Sequence, residues 1–200
     1  MLEIIVAFAS FAFVASVTPG PNNVILTATG SSVGFKRGMP TLLGITTGFS
    51  VMIFVLTIGL GSLVLDSPMV LLSLKVAGVL MLIWLSWQIA FAPVRRDDKG
   101  SGHAPKALGF PGAALFQWVN PKAWLVVGSA ISAYMIPDHS AFTQAITFAA
   151  VFFVAGFAGC IPWLLFGSLL QRWLKTERTA RAFNYCMGLL LLSTIVLIIR

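Results

Sequence analysis

Two short clusters of polar and helix-breaking residues interrupt otherwise apolar runs: Pro19-Gly20-Pro21-Asn22-Asn23 near the start of the chain and Asn120-Pro121-Lys122 past its middle. A proline within a helix removes a backbone donor and frees a carbonyl of the preceding turn. In a bilayer such groups survive only against protein or a wet cavity, and matched Pro/Gly breaks in two halves of a chain point to a carrier's central binding site. Two plain proline kinks are the alternative. The neighbouring amides of Asn22, Asn23 and Asn120 favour a site, since they bring donors and acceptors to the breaks.

Lys122 lies about fourteen residues into its apolar run, roughly 20 Å along a helix, too deep for its ammonium to reach an interface. A buried ammonium asks for an anion, and the carboxylate of a small-molecule substrate would supply one, with Asn120 and the amides of the break completing its hydrogen bonds. The competing reading is a structural lysine bonded to carbonyls freed by Pro121. Lys75 follows Pro68 by seven residues, roughly 10 Å from the outer end of its run, so snorkelling and a role at the outer mouth weigh equally. None of the six acids, Glu3, Asp66, Asp97, Asp98, Asp138 and Glu177, stands mid-run, so a buried carboxylate relay is missing and any coupled proton travels on a lysine or on the substrate. Cys160 and Cys186 lack CxxC spacing and read as small buried hydrophobes, and His103 and His139 stand alone in loops, so neither a metal nor a cofactor is expected.

The elements that must carry these residues are membrane helices. The chain of 200 residues is 58% hydrophobic and 10% charged, with mean hydropathy +0.94, far too apolar for a water-exposed surface. The net charge of +7 does not imply nucleic acid, because the basic residues sit in short loops between apolar runs. Residues 2–17 lack the basic start and small-residue cleavage site of a signal peptide and belong to the mature protein. Apolar runs over 2–34, 39–64, 68–92, 108–135, 141–170 and 182–199 predict an all-α integral membrane protein with six transmembrane helices.

Ten of the 13 basic residues fall on one side of that arrangement: Lys36, Arg37, Arg95, Arg96, Lys99, Lys106, Arg172, Lys175, Arg178 and Arg181. The positive-inside rule places them in the cytoplasm and both termini outside. A polar linker, 93–107, separates a first three-helix unit, 1–92, from a second, 108–200. Three crossings are an odd number, so the two repeats are inverted, each with a broken first helix. Pro21 matches Pro121, Gly48-Phe49 matches Gly156-Phe157, and Gly78 matches Gly188, in the same order. Gly30, Gly34 and Gly38, then Gly44 and Gly48, recur every four residues and read as close helix contacts. Trp84, Trp87, Trp173 and Tyr134 read as interface anchors, while Trp118 and Trp124 flank the second break.

Thr18-Pro19-Gly20-Pro21-Asn22-Asn23, with Gly34-Phe35-Lys36-Arg37-Gly38 and Leu43-Gly44, resembles the N-terminal signature of the LysE/RhtB family of amino-acid exporters. Asn120-Pro121-Lys122-Ala123 resembles its second-half signature, and the resemblance covers essentially the whole chain. Trp87-Gln88-Ile89-Ala90, Phe116-Gln117-Trp118-Val119-Asn120 and Ser132-Ala133-Tyr134-Met135-Ile136-Pro137 are most similar to the cysteine/O-acetylserine branch. The resemblance implies a secondary carrier of the inner membrane, not an enzyme, that moves amino acids or close derivatives outward on the proton-motive force. Its partners would be the amino acid and the lipid bilayer, with a homo-oligomer left open.

Three rival functions fit a similar span plan. A membrane thiol/redox carrier needs two cysteines placed for exchange near the breaks, whereas these two lie in the fifth and sixth runs. An intramembrane hydrolase needs a buried His or a carboxylate pair, and no run contains either. An ion channel needs a ring-like polar pore, which the asymmetric breaks suit less well than a small zwitterion.

Overall fold

A computed structural model describes residues 2–60, 68–92, 108–136, 139–171, 173–174 and 176–196, all in helices and short connections. The helices are α1 (Leu2–Val17), α2 (Pro21–Val33), α3 (Phe35–Val55, extended by a π turn over Leu56–Leu60), α4 (Pro68–Ala90), α5 (Gly109–Val119), α6 (Pro121–Tyr134), α7 (Ala141–Leu170) and α8 (Glu177–Ser193). Both first helices are broken as the prolines predict. Pro21 and Pro121 each occupy the first position of the following helix, where a missing N–H has no partner to lose. The axes of α1 and α2 meet at 57°.

The boundaries moved where local chemistry overrode hydropathy. No polar loop separates α2 from α3, because Gly34, at φ 81°, turns the chain in one residue. The last helix starts at Glu177 rather than 182, since Thr176 and Thr179 form a reciprocal cap and Glu177 pairs with Arg181.

Among the described residues three stretches are long and apolar enough to cross a bilayer alone, Phe35–Gly59, Pro68–Ala90 and Ala141–Leu170, and the bent α1–α2 pair makes a fourth if it is one crossing. The fourth and sixth runs read from the sequence are not reached by helix length among the described residues, because the break at Asn120 divides one into 11 and 14 residues and α8 counts 17. The linker 93–107 lies outside the described residues.

The two halves of the chain are not separate bodies. α7 lies against α1, α2 and α3, α5 against α3, and α4 against α8, so the principal packing joins the halves. The spaced glycines make part of this contact. A Cβ on Gly30 would stand 2.3 Å from the Leu164 carbonyl of α7, and one on Gly167 2.1 Å from the Thr27 carbonyl of α2, so these backbones touch. Gly44 and Gly48 do the same against Phe110 and Ala114 of α5.

Elsewhere large side chains fill the interior. Phe8, Phe49, Met52, Phe148 and Phe152 cluster with Ala123, Val127 and Ala130 of α6. Tyr134, half-buried at the end of α6, packs on Phe8 and Phe11 at 5.4 and 5.7 Å between ring centres. The perimeter is apolar, with Met69, Leu125, Val154 and Trp87 all well exposed, which suits lipid and not water.

Candidate functional site

The two breaks meet. Asn22, one residue into α2, exchanges both amide hydrogen bonds with Gln117 of α5: its Nδ2 donates to Gln117 Oε1 at 2.9 Å, and Gln117 Nε2 donates to its Oδ1 at 3.1 Å. Asn120 Nδ2 donates to the same Asn22 oxygen at 3.3 Å. Gln117 also donates to the Ala113 carbonyl at 3.0 Å and is fully buried, as is Asn120. A buried polar group costs stability unless bonded, so this closed amide network fixes the start of α2 against the end of α5.

Each break must also satisfy the orphan groups of its helix ends. Asn120 caps α6 itself, its Oδ1 accepting from the Lys122 N–H at 3.1 Å. The first break has no such cap, since Gly20 carries no side chain. Its loose carbonyls are taken up from elsewhere: Asn23 Nδ2 reaches the Ser16, Val17 and Thr18 carbonyls at 3.2, 3.3 and 2.8 Å. Lys122 Nζ, from the other half, donates to the Thr18 carbonyl at 2.6 Å and the Pro19 carbonyl at 3.4 Å. The structural alternative for Lys122 is therefore real, yet its acceptors belong to the first break and not to the carbonyls freed by Pro121. Gly20 gives the lysine room, for a Cβ there would fall 2.8 Å from Lys122 Cδ.

These groups open onto one cavity with about 440 Å³ of empty space, part of it continuous with the outside. Gly20, Asn22, Asn23, Asn120 and Lys122 line it, together with Ala15 and Ser16 of α1, Ile45, Thr46 and Phe49 of α3, Ala123 and Val126 of α6, and Phe152, Gly156 and Cys160 of α7. No Asp or Glu does. The first turns of α2 and α6 both border it, and helix N-termini favour negative charge. A cation, several amides and two helix N-termini thus surround one small cavity, chemistry that suits an anionic group such as a carboxylate.

Of the residues singled out in the sequence, Pro19 contributes a carbonyl, and Pro21 and Pro121 shape the breaks without lining the cavity. Lys75 is exposed on α4 and does not border it. Trp118 and Trp124 do flank the second break, joined by a bond from Trp124 Nε1 to the Trp118 carbonyl at 2.8 Å, but neither lines the cavity. Gln117 and Cys160 were passed over. Gln117, an amide in an apolar run three residues before Asn120 and so on its helix face, carried a usable signal. Cys160 carried none, because a single cysteine in an apolar helix reads as packing; it and Cys186 are free thiols.

The described residues form apolar helices around two helix breaks that meet at one cavity. The sequence profile of the LysE type translocators matches residues 13–199, and the chain belongs to that family. It is 30% identical over 186 residues to the cysteine/O-acetylserine efflux protein of Escherichia coli (strain K12), covering 92% of each chain. To the efflux protein of the same name from Escherichia coli O139:H28 it is 29% identical over 187 residues, 93% of this chain and 92% of the relative. The like-named protein of Shigella flexneri serotype 5b is 30% identical over 186 residues, with 92% of each covered. No solved structure matches the chain.

Proposed function

We propose that the protein is a secondary exporter that carries amino acids or close derivatives, of the cysteine and O-acetylserine kind, outward across the cytoplasmic membrane on the proton-motive force. The observation that carries this reading is the position of Lys122, a cation from one half of the chain lodged on the carbonyls of the other half's helix break, at the wall of a cavity that no acid among the described residues lines. An ammonium has three donors, and two bonds to neutral carbonyls are readily exchanged for a charge-assisted bond to a carboxylate. Asn22, Asn120 and the N-termini of α2 and α6 complete the anion site. With no carboxylate among the described residues of the cavity wall, a coupled proton travels on the substrate or on Lys122.

The same reading sets the six runs as six crossings in two inverted repeats, with the 93–107 linker in the cytoplasm and both termini outside. The distribution of basic residues supports it. An impermeant thiol reagent applied to intact cells should fail to label a cysteine placed in the linker, and ready labelling would reverse the topology.

Transport itself is tested by counterflow in proteoliposomes loaded with candidate amino acids, each competed against the others. Saturable exchange with a ranked set of competitors is expected. Flux that never saturates and shows no exchange would mean a channel.

A further inference from the structure

Most glycines of the helices are accounted for by contact or by backbone. At Gly30, Gly48, Gly78, Gly167 and Gly188 an added Cβ would come within 2.1 to 2.8 Å of another helix, and Gly34, Gly59 and Gly109 have positive φ. Gly156 has neither reason. It is buried in α7, its φ is not positive, and a Cβ there would meet only the Phe152 ring at 3.4 Å and Ser16 Oγ at 3.6 Å, ordinary contact distances. A glycine inside a helix is less favourable than alanine, so neither packing nor conformation explains this one. Its place does: it lines the cavity between Phe152 and Cys160, one turn away on either side of the same helix face.

Resting on the export reading, we propose that Gly156 is the specificity-determining position of the site, leaving open the space that the substrate's side chain fills, with the Phe49–Phe152 pair as the end wall. Those two rings lie 4.0 Å apart and nearly parallel, at 4°, and Ile45, Val126 and Cys160 also line the cavity. The space suits an uncharged side chain, because among the described residues no acid lines the cavity to meet a cation, and a second anion would lose its hydration against aromatic walls. The α-ammonium has neutral acceptors instead, among them Ser16 Oγ, whose own proton goes to the Ala12 carbonyl at 2.7 Å. The substrate class is then an α-amino acid with a neutral side chain of a few heavy atoms.

The test is counterflow by full-length protein in proteoliposomes with a series of neutral amino acids from alanine through serine and O-acetylserine to leucine, alongside thermal unfolding. Gly156→Ala should lower transport of the longest accepted side chain roughly tenfold relative to alanine, the size of effect one methyl group produces in a pocket, with unfolding temperature unchanged or raised. Phe49→Leu, which shortens the end wall, should shift the ratio toward longer side chains. An unchanged ratio in either variant, an equal loss for all substrates, or a Gly156→Ala protein of lowered stability would overturn the assignment. Wild-type vesicles that exchange none of these amino acids would overturn the export reading itself, and this assignment with it.

Discussion

The breaks before α2 and α6 occupy matching places in the two halves, yet they solve the same physical problem differently. The second closes on itself: Asn120 caps α6, and its chain neighbours bond within the turn. The first depends on side chains from outside its own turn, Asn23 from the next helix and Lys122 from the other half. The helices that follow also differ, since α2 meets α7 backbone to backbone through Gly30 and Gly167, whereas the buried face of α6 packs among Phe8, Met52 and Phe152. Of the two breaks, one is thus capped within its own turn and the other is finished by a cation from far along the chain. A group that completes a structure by two exchangeable bonds is well suited to hold a ligand as well.

That contrast is broken most directly at Lys122. Lys122→Ala should insert normally, because Asn23 still bonds the Thr18 carbonyl, and should weaken substrate binding by about 1.5–3 kcal/mol, the worth of a hydrogen bond to a charged group. Transport in proteoliposomes then falls on the order of ten- to a hundredfold with little change in melting temperature. Near-normal transport by a normally melting variant would remove Lys122 as the carboxylate anchor.

Asn23→Ala should show the opposite order of effects. It strips the donor from three carbonyls at the end of α1, so stability should fall first, by about 1–3 kcal/mol, read as a lower melting temperature in detergent. A variant that melts like wild type would mean that the first break does not depend on Asn23.

A smaller effect is expected at the self-sufficient break. Asn120→Ala removes the cap of α6 and one bond to Asn22 and should cost about 1 kcal/mol, less than Asn23→Ala. A larger loss would reverse the ranking of the two breaks. The smallest change belongs to Lys75→Ala. Exposed on α4 and away from the cavity wall, Lys75 can contribute only long-range attraction, so initial uptake should change no more than about twofold and lose part of its salt dependence. A loss of transport as deep as that of Lys122→Ala would give Lys75 a place in the binding site.

Much of this was legible in the residues. Pro21 and Pro121 fix where helices must start, because their rings exclude any other arrangement at those points, and the amides beside them marked the breaks as more than kinks. The ends of α2 and α8 were less legible, since hydropathy does not register a one-residue turn at Gly34 or a capping box at Thr176. The partners of Lys122 could not be read at all: its acceptors are 103 and 104 residues away in the chain, and only the crossing of the two halves brings them to it.

By itself, then, the sequence determined the solvent, the helices and the two places where they break, because apolar composition and proline geometry act locally and survive in any fold. The tertiary structure alone decided which break needs the lysine, that Gln117 rather than a second charge ties the halves together, and that Cys160 and Gly156 face a cavity rather than a neighbouring helix. These depend on the rotation and spacing of helices distant in sequence. Those in turn follow from glycine contacts and aromatic packing distributed over both halves, which no single stretch of the chain encodes.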